Sequence, residues 1–295
     1  MTVTDHYPTR VSEEASIVDR KEPVVRGSEG DGPLSRAQLD AFDRDGFLLL
    51  ENVFTAGEVD DILSELARLA ALDEVKADDR TITEPESDAV RSIFEVHRIH
   101  DRFAGLAGDE RVAGAARQIV GSDVYVHQSR VNFKPGFRGK EFSWHSDFET
   151  WHAEDGMPAM RAVSASIALT DNHVFNGPLM IIPGSHRRFV ACVGETPEDH
   201  YKASLKAQEL GVPDDQSLAR LVEEAGGEIA TLTGKAGSVV LFDCNAMHGS
   251  NSNITPYPRS NVFLVYNSVE NRLVEPFAAP KQRPSFIAAR EFTPV

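Results

Sequence analysis

After Gly121 the chain changes texture. Val124, Val126 and Val131 with Phe133, then Val163–Leu169, Leu179–Ile182, Val239–Phe242 and Val262–Val265, form short β-branched runs set apart by Gly, Pro and Asn turns. Runs this short and this branched fit strands better than helices. Helices first and many short strands later read as a β-sandwich or barrel with helices packed outside. A chain of 295 residues suits one such unit and buries a core without covalent staples. Cys192 and Cys244 are the only cysteines, which excludes a disulfide framework and a cysteine-rich zinc site. A single bridge between them is left open. Any metal must be held by nitrogen and oxygen.

The first part reads differently. Residues 1–33 are polar, carry Pro8, Pro23 and Pro33, and have no periodicity, so a flexible N-terminal arm draped over the body is expected there. A single domain is expected over 34–295. Ser35-x-x-Gln38 and Thr55-x-x-Glu58 are capping-box patterns. The first opens a short helix through Phe42; the second opens one with Val59, Ile62, Leu63, Leu66 and Leu69–Ala70 on one face. Phe47–Leu50 between them suits a buried strand. Residues 73–91 read as an acidic loop, Asp109–Ile119 as a helix stopped by Gly121, and 195–227 as an insertion helical around Ser217–Glu224. There is no internal repeat.

Thirty Lys and Arg against 46 Asp and Glu leave a net charge of −16. With no basic excess to displace counterions, a grip on nucleic acid is not expected, nor is binding to an anionic membrane. No apolar run approaches the roughly 20 residues of a membrane helix. The opening MTVTDHYPTRVSEEAS lacks the basic start and apolar middle of a signal peptide, so a cytoplasmic protein is expected.

Ten histidines are the candidate nitrogen ligands. In Trp144-His145-Ser146-Asp147, a strand would point His145 and Asp147 the same way and offer two corners of a metal's shell. A third ligand from a distant strand would complete the two-histidine, one-carboxylate face of non-heme Fe(II) oxygenases. Spacing alone decides little: chance supplies about 1.6 His-x-acid matches in this composition, and two occur, the other being His152/Glu154. The wider context favours the first. Gly177-Pro-Leu-Met-Ile-Ile-Pro-Gly-Ser-His186 follows, then His248 and, eleven residues on, Arg259. A guanidinium near the metal would offer a two-pronged partner for a carboxylate, as a 2-oxoglutarate site requires. The plainer readings are a surface ion pair for Arg259, solvated charges for Lys134 and Arg138, a turn-stabilising His186, and core packing for Trp151 and Cys244.

The order His-x-Asp, then GPL-x-x-IPGSH, then His-x10-Arg resembles the phytanoyl-CoA dioxygenase superfamily of Fe(II)/2-oxoglutarate oxygenases, as does a helix followed by DGFLLLENVF. Phe142–Asn172, FSWHSDFETWHAEDGMPAMRAVSASIALTDN, is similar to the signature of its ectoine-hydroxylating members. The resemblance covers about Leu34 to the C-terminus. It implies a mainly β fold, a double-stranded β-helix (jelly roll) with flanking α-helices. It implies that His145, Asp147 and His248 bind Fe(II), and that Lys134, Arg259, Phe142 and Ser164 surround 2-oxoglutarate. Gln128 and Trp151 would contact L-ectoine, with Phe94, Phe263 and Asn267 aligned less closely. The implied reaction is hydroxylation to 5-hydroxyectoine with O2 as cosubstrate and succinate and CO2 released, by a homodimer. Two alternatives stay beside it. One is a sister hydroxylase of another small zwitterionic amino acid; the other is a metal-binding jelly roll without turnover.

Overall fold

The structure, a computed structural model, describes residues 4–83, 89–205 and 209–295. Their strands are β1 (Ser16–Asp19), β2 (Phe47–Leu50), β3 (Thr81–Thr83), β4 (Val90–Phe94), β5 (Val124–Lys134), β6 (Phe142–His145) and β7 (Ala162–Ala168). There follow β8 (Leu179–Ile181), β9 (Arg188–Ala191), β10 (Ala230–Leu232), β11 (Val239–Asp243), β12 (His248–Ser250) and β13 (Arg259–Ser268). Seven form one sheet in the order β2-β11-β7-β13-β5-β4-β3, and four form a second, β10-β8-β12-β6. Neighbours in both are antiparallel. This is the expected jelly roll with flanking helices.

Alternation along the strands explains the layers. Val239 and Leu241 of β11, and Val262 and Leu264 of β13, join the cluster that also holds Phe42, Val59, Ile62 and Leu66 from the helices. Val240, Phe242 and Phe263, one residue out of phase, meet Leu179, Ile181 and Leu232 from the smaller sheet. The larger sheet is thus covered on both faces.

Both capping boxes are present, on helices Arg36–Asp45 and Ala56–Ala71. Asp109 caps a π-helical turn, Glu110–Gly114, that runs into helix Ala115–Val120 and stops at left-handed Gly121. Phe47–Leu50 is a half-buried edge strand rather than a buried one. The segment read as a loop over 73–91 carries a short helix, Asp73–Lys76, and β3 paired to β4; residues 84–88 lie outside the described ones. Cys192 and Cys244 are buried and free, so no bridge joins them.

The N-terminal segment, expected to be a flexible arm draped over the body, lies against it and is partly buried. Tyr7 is fully buried, Thr9 and Arg10 nearly so, and β1 pairs with β9. Further on, the Gln118 side chain bonds Ser28 O, Leu34 N and Leu34 O. Polar bonds, one strand pairing and the isolated buried side chains of Tyr7 and Val24 anchor this segment, and none of these leaves a hydrophobic period in the sequence.

Candidate active site

In the smaller sheet β6 and β12 are neighbours, with His145 directly opposite His248. The strand ends at His145, and after Ser146 the chain turns into the short helix Asp147–Thr150. Asp147 therefore reaches the site through a strand-to-helix turn, not through the strand alternation expected for His-x-Asp. His145 Nε2 lies 3.6 Å and His248 Nε2 4.0 Å from the Asp147 carboxylate, and one ligand atom from each residue lies within 4.8 Å of the others.

Backbone carbonyls fix the tautomers. His145 Nδ1 donates to Ser143 O at 2.7 Å and His248 Nδ1 to Ala246 O at 2.9 Å, which leaves both Nε2 lone pairs facing the carboxylate. Burial, with His145 alongside, pulls His248 down to about 4. Burial acts to raise Asp147, but His248, His145 and Arg130 outweigh it and hold its carboxyl well below the usual range. Neutral imidazoles and an ionised carboxylate are what a divalent cation needs, and the donor set fits a facial Fe(II) site. The rival pair is structural. His152 bonds Met157 O and Asp5 and stacks on Phe277 at 4.0 Å, while Glu154 is tied to Arg10 and His200.

Two cavities meet at His145. The first is lined by Lys134, Arg259, Phe142, His248, Arg130 and Phe263 among others. Lys134 and Arg259 are partners on β5 and β13. Lys134 Nζ donates to Ser250 Oγ and Asn251 O; burial, then Arg259 and Arg91, bring its ammonium down to about 7. Arg259 donates Nη1 to Gly177 O at 2.9 Å, while its buried Nε has no partner among the described residues. Burial and Arg130 lower it to about 10. Phe142 lies beneath both Lys134 and Arg91, 5.3 and 5.4 Å from its ring centre. A buried cationic wall with an unspent donor suits a dicarboxylate. Ser164 does not line this cavity: it is buried in β7 between Phe242 and Val265.

The second cavity is lined by Gln128, Trp151, Phe94, Asp147, Thr150 and Glu154, with Arg283 and Leu205. Trp151 is both core and wall, packed with Tyr7, Phe148 and Met157 behind it. Gln128 donates to Ile287 O. Asn267 is not at the site; it bonds Tyr125 and Asn271 O. Sequence reasoning missed Arg130 and Arg283. Counting back by twos from Lys134 along β5 reaches Asn132, Arg130 and Gln128, all on the cavity face, so strand alternation was the available signal for Arg130. Arg283 comes from the C-terminal segment, where Asp155 grips it at 2.7 and 2.6 Å, and no local pattern announces it.

Fold and site together define a 2-oxoglutarate-dependent dioxygenase. Residues 42–261 match the phytanoyl-CoA dioxygenase (PhyH) family. The ectoine dioxygenase of Streptomyces coelicolor is 58% identical over 294 residues, covering 99% of this chain and 97% of that one. EctD from S. alaskensis, solved with 2-oxoglutarate and 5-hydroxyectoine, is 50% identical with a TM-score of 0.87, covering 97% of this chain and 95% of that one. The same protein solved with bound Fe is 49% identical, again with a TM-score of 0.87, over 98% and 95% of the two chains. The chain belongs to the phytanoyl-CoA dioxygenase family.

Proposed function

We propose that this protein hydroxylates L-ectoine to 5-hydroxyectoine, using Fe(II) held by His145, Asp147 and His248, with 2-oxoglutarate converted to succinate and CO2. The observation that carries the reading is the pair of cavities meeting at the triad, one cationic and the other walled by Trp151, Gln128 and Arg283. Bound iron supplies the activation of O2. The chain's own residues do the rest. Arg259 and Lys134 neutralise the dicarboxylate, with Phe142 beneath the ammonium. Ser164, buried opposite Phe242 whose ring lies 5.0 Å from that of His248, shares the inner face of the sheet with the site. Trp151 offers an aromatic face to a delocalised ring cation, and Arg283 a cation to the substrate carboxylate. The buried walls exclude water. The same reading has the protein acting in the cytoplasm as a homodimer, its product serving osmotic protection. Consistent with this, no helix among the described residues is long and apolar enough to cross a membrane.

A metal binder without turnover would have no use for a buried, partly unpartnered Arg259. The test has two stages. Fe(II) and 2-oxoglutarate mixed anaerobically with the protein should give the weak visible charge-transfer band of the chelate, and His248→Ala should abolish it. With air admitted, succinate and 5-hydroxyectoine are then measured for ectoine, with proline, lysine and phytanoyl-CoA as competitors for the assignment. Ectoine should be hydroxylated, and Trp151→Ala should lose that product while keeping the band. A band with no ectoine turnover but proline or lysine hydroxylation would replace the substrate; no band would remove the oxygenase reading.

A further inference from the structure

The N-terminal segment is built into the metal site from behind. Arg10 lies fully buried against Glu149, donating Nε and Nη2 to its two oxygens at 3.0 and 2.8 Å, and Nη1 to Glu154 at 2.7 Å. Thr9 donates to Glu149 at 2.7 Å, and Arg10 N is held by Cys192 O. Glu149 sits in the short helix that begins with Asp147, and Glu154 lines the second cavity. Arg20 makes a parallel contact on the other side. It donates to Asp243 at 2.7 Å, Asp243 accepts from Asn245 N, and Asn245 accepts from Ser146, the residue between His145 and Asp147.

Two further observations bear on this. Arg10 has a φ of 58°, a left-handed conformation that non-glycine residues adopt at a cost and that persists where the surroundings enforce it. The segment also lies outside residues 42–261 that match the family, while its partners lie inside them. We propose that residues 5–22 form a brace that fixes the short helix Asp147–Thr150 and the π-helical turn Trp151–Asp155 that follows it, with Arg10 as the positioning residue. The proposal rests on the oxygenase reading above. Arg10 lines neither of the two cavities. Its forked grip on Glu149 and single bond to Glu154 span the two ends of the turn that carries Trp151, which sets the angle between metal and wall.

The test uses the full chain in two variants. Arg10→Lys keeps the charge but cannot fork onto Glu149 while reaching Glu154. Arg10→Met with Glu149→Met leaves no buried unpaired charge at that contact, so it guards against simple misfolding. Circular dichroism checks the fold. Fe(II) affinity is read anaerobically from the chelate band, and coupling as succinate formed per hydroxylated product. Both variants should bind Fe(II) about tenfold more weakly or worse, the range seen when groups orienting ligands are removed. Succinate should exceed product in both. If either folded variant binds Fe(II) as wild type does and forms succinate and product one for one, the segment is only a staple and the proposal fails. Should the wild type ignore ectoine, the substrate reading fails alone, because Fe(II) affinity still tests the brace.

Discussion

At the scale of single residues, burial sets the charge on the groups that would meet ligand. Lys134 is the clearest case, its ammonium lowered to about 7 by burial and by its cationic neighbours. Above pH 7, where an ordinary lysine would still be charged, the protein holds it mostly neutral, and a dicarboxylate bound beside it favours the charged form again. Binding of 2-oxoglutarate at pH 8 should therefore take up part of a proton, and affinity should weaken as pH rises above 7, by at most about tenfold per unit. Titration calorimetry in two buffers of different ionisation enthalpy measures the uptake. Lys134→Arg should remove it, because a guanidinium stays charged throughout; equal heats from both buffers with the wild type would contradict the assignment. The candidate ligands could be named from the sequence because family order singled out His145 and His248 against a chance background. Ser164 and Asn267 could not be judged that way, since strand depth decides whether a side chain meets a cavity. For Asn267 depth and a bond to Tyr125 settle it.

At the scale of elements, helix ends were the most legible features. Ser35/Gln38 and Thr55/Glu58 each hold their bonds within three residues, so four letters carry the whole signal. The stop of the first helix carries a constraint of its own. Gly46 has a φ of 81°, and a Cβ there would lie 2.3 Å from His186 Nδ1, where the PGSH turn docks against the helix. Gly46→Ala should cost about 1–3 kcal/mol through left-handed strain alone, with the clash added. Gly57→Ala is the contrast: nothing among the described residues lies within 4 Å of where a Cβ would stand, and helix propensity favours alanine, so it should stabilise slightly. Urea midpoints for the two variants should move in opposite directions. A wild-type midpoint for Gly46→Ala would show that this junction yields freely. His186 thus does hold the turn, as the sequence suggested, but by meeting another element through Asp43 O. The helix of Asp147 was illegible for the opposite reason: the four residues Asp147–Thr150 are too few for a period, and His-x-Asp reads as strand.

For the whole molecule, the jelly roll was readable because its strands alternate against two different partners, helices outside and the small sheet inside. The order of strands within the sheets was not, since nothing local states that β2 pairs with β11 or β1 with β9. Charge is also unevenly placed: a chain of net −16 gathers Arg91, Arg130, Lys134 and Arg259 around one cavity. The buried grip of Arg10 and Arg20 has a further consequence, in the order of events during folding. Arg10 is separated from Glu149 by 139 residues and Arg20 from Asp243 by 223. Contacts so distant in sequence are closed after the local ones, and the first residues made must wait for partners synthesised much later. Pulse-labelled amide exchange during refolding should find β1 protected after β5, β7 and β13, and early protection of β1 would contradict this order. The start of the chain is then the last part to lock, and the metal site takes its final shape only when it does.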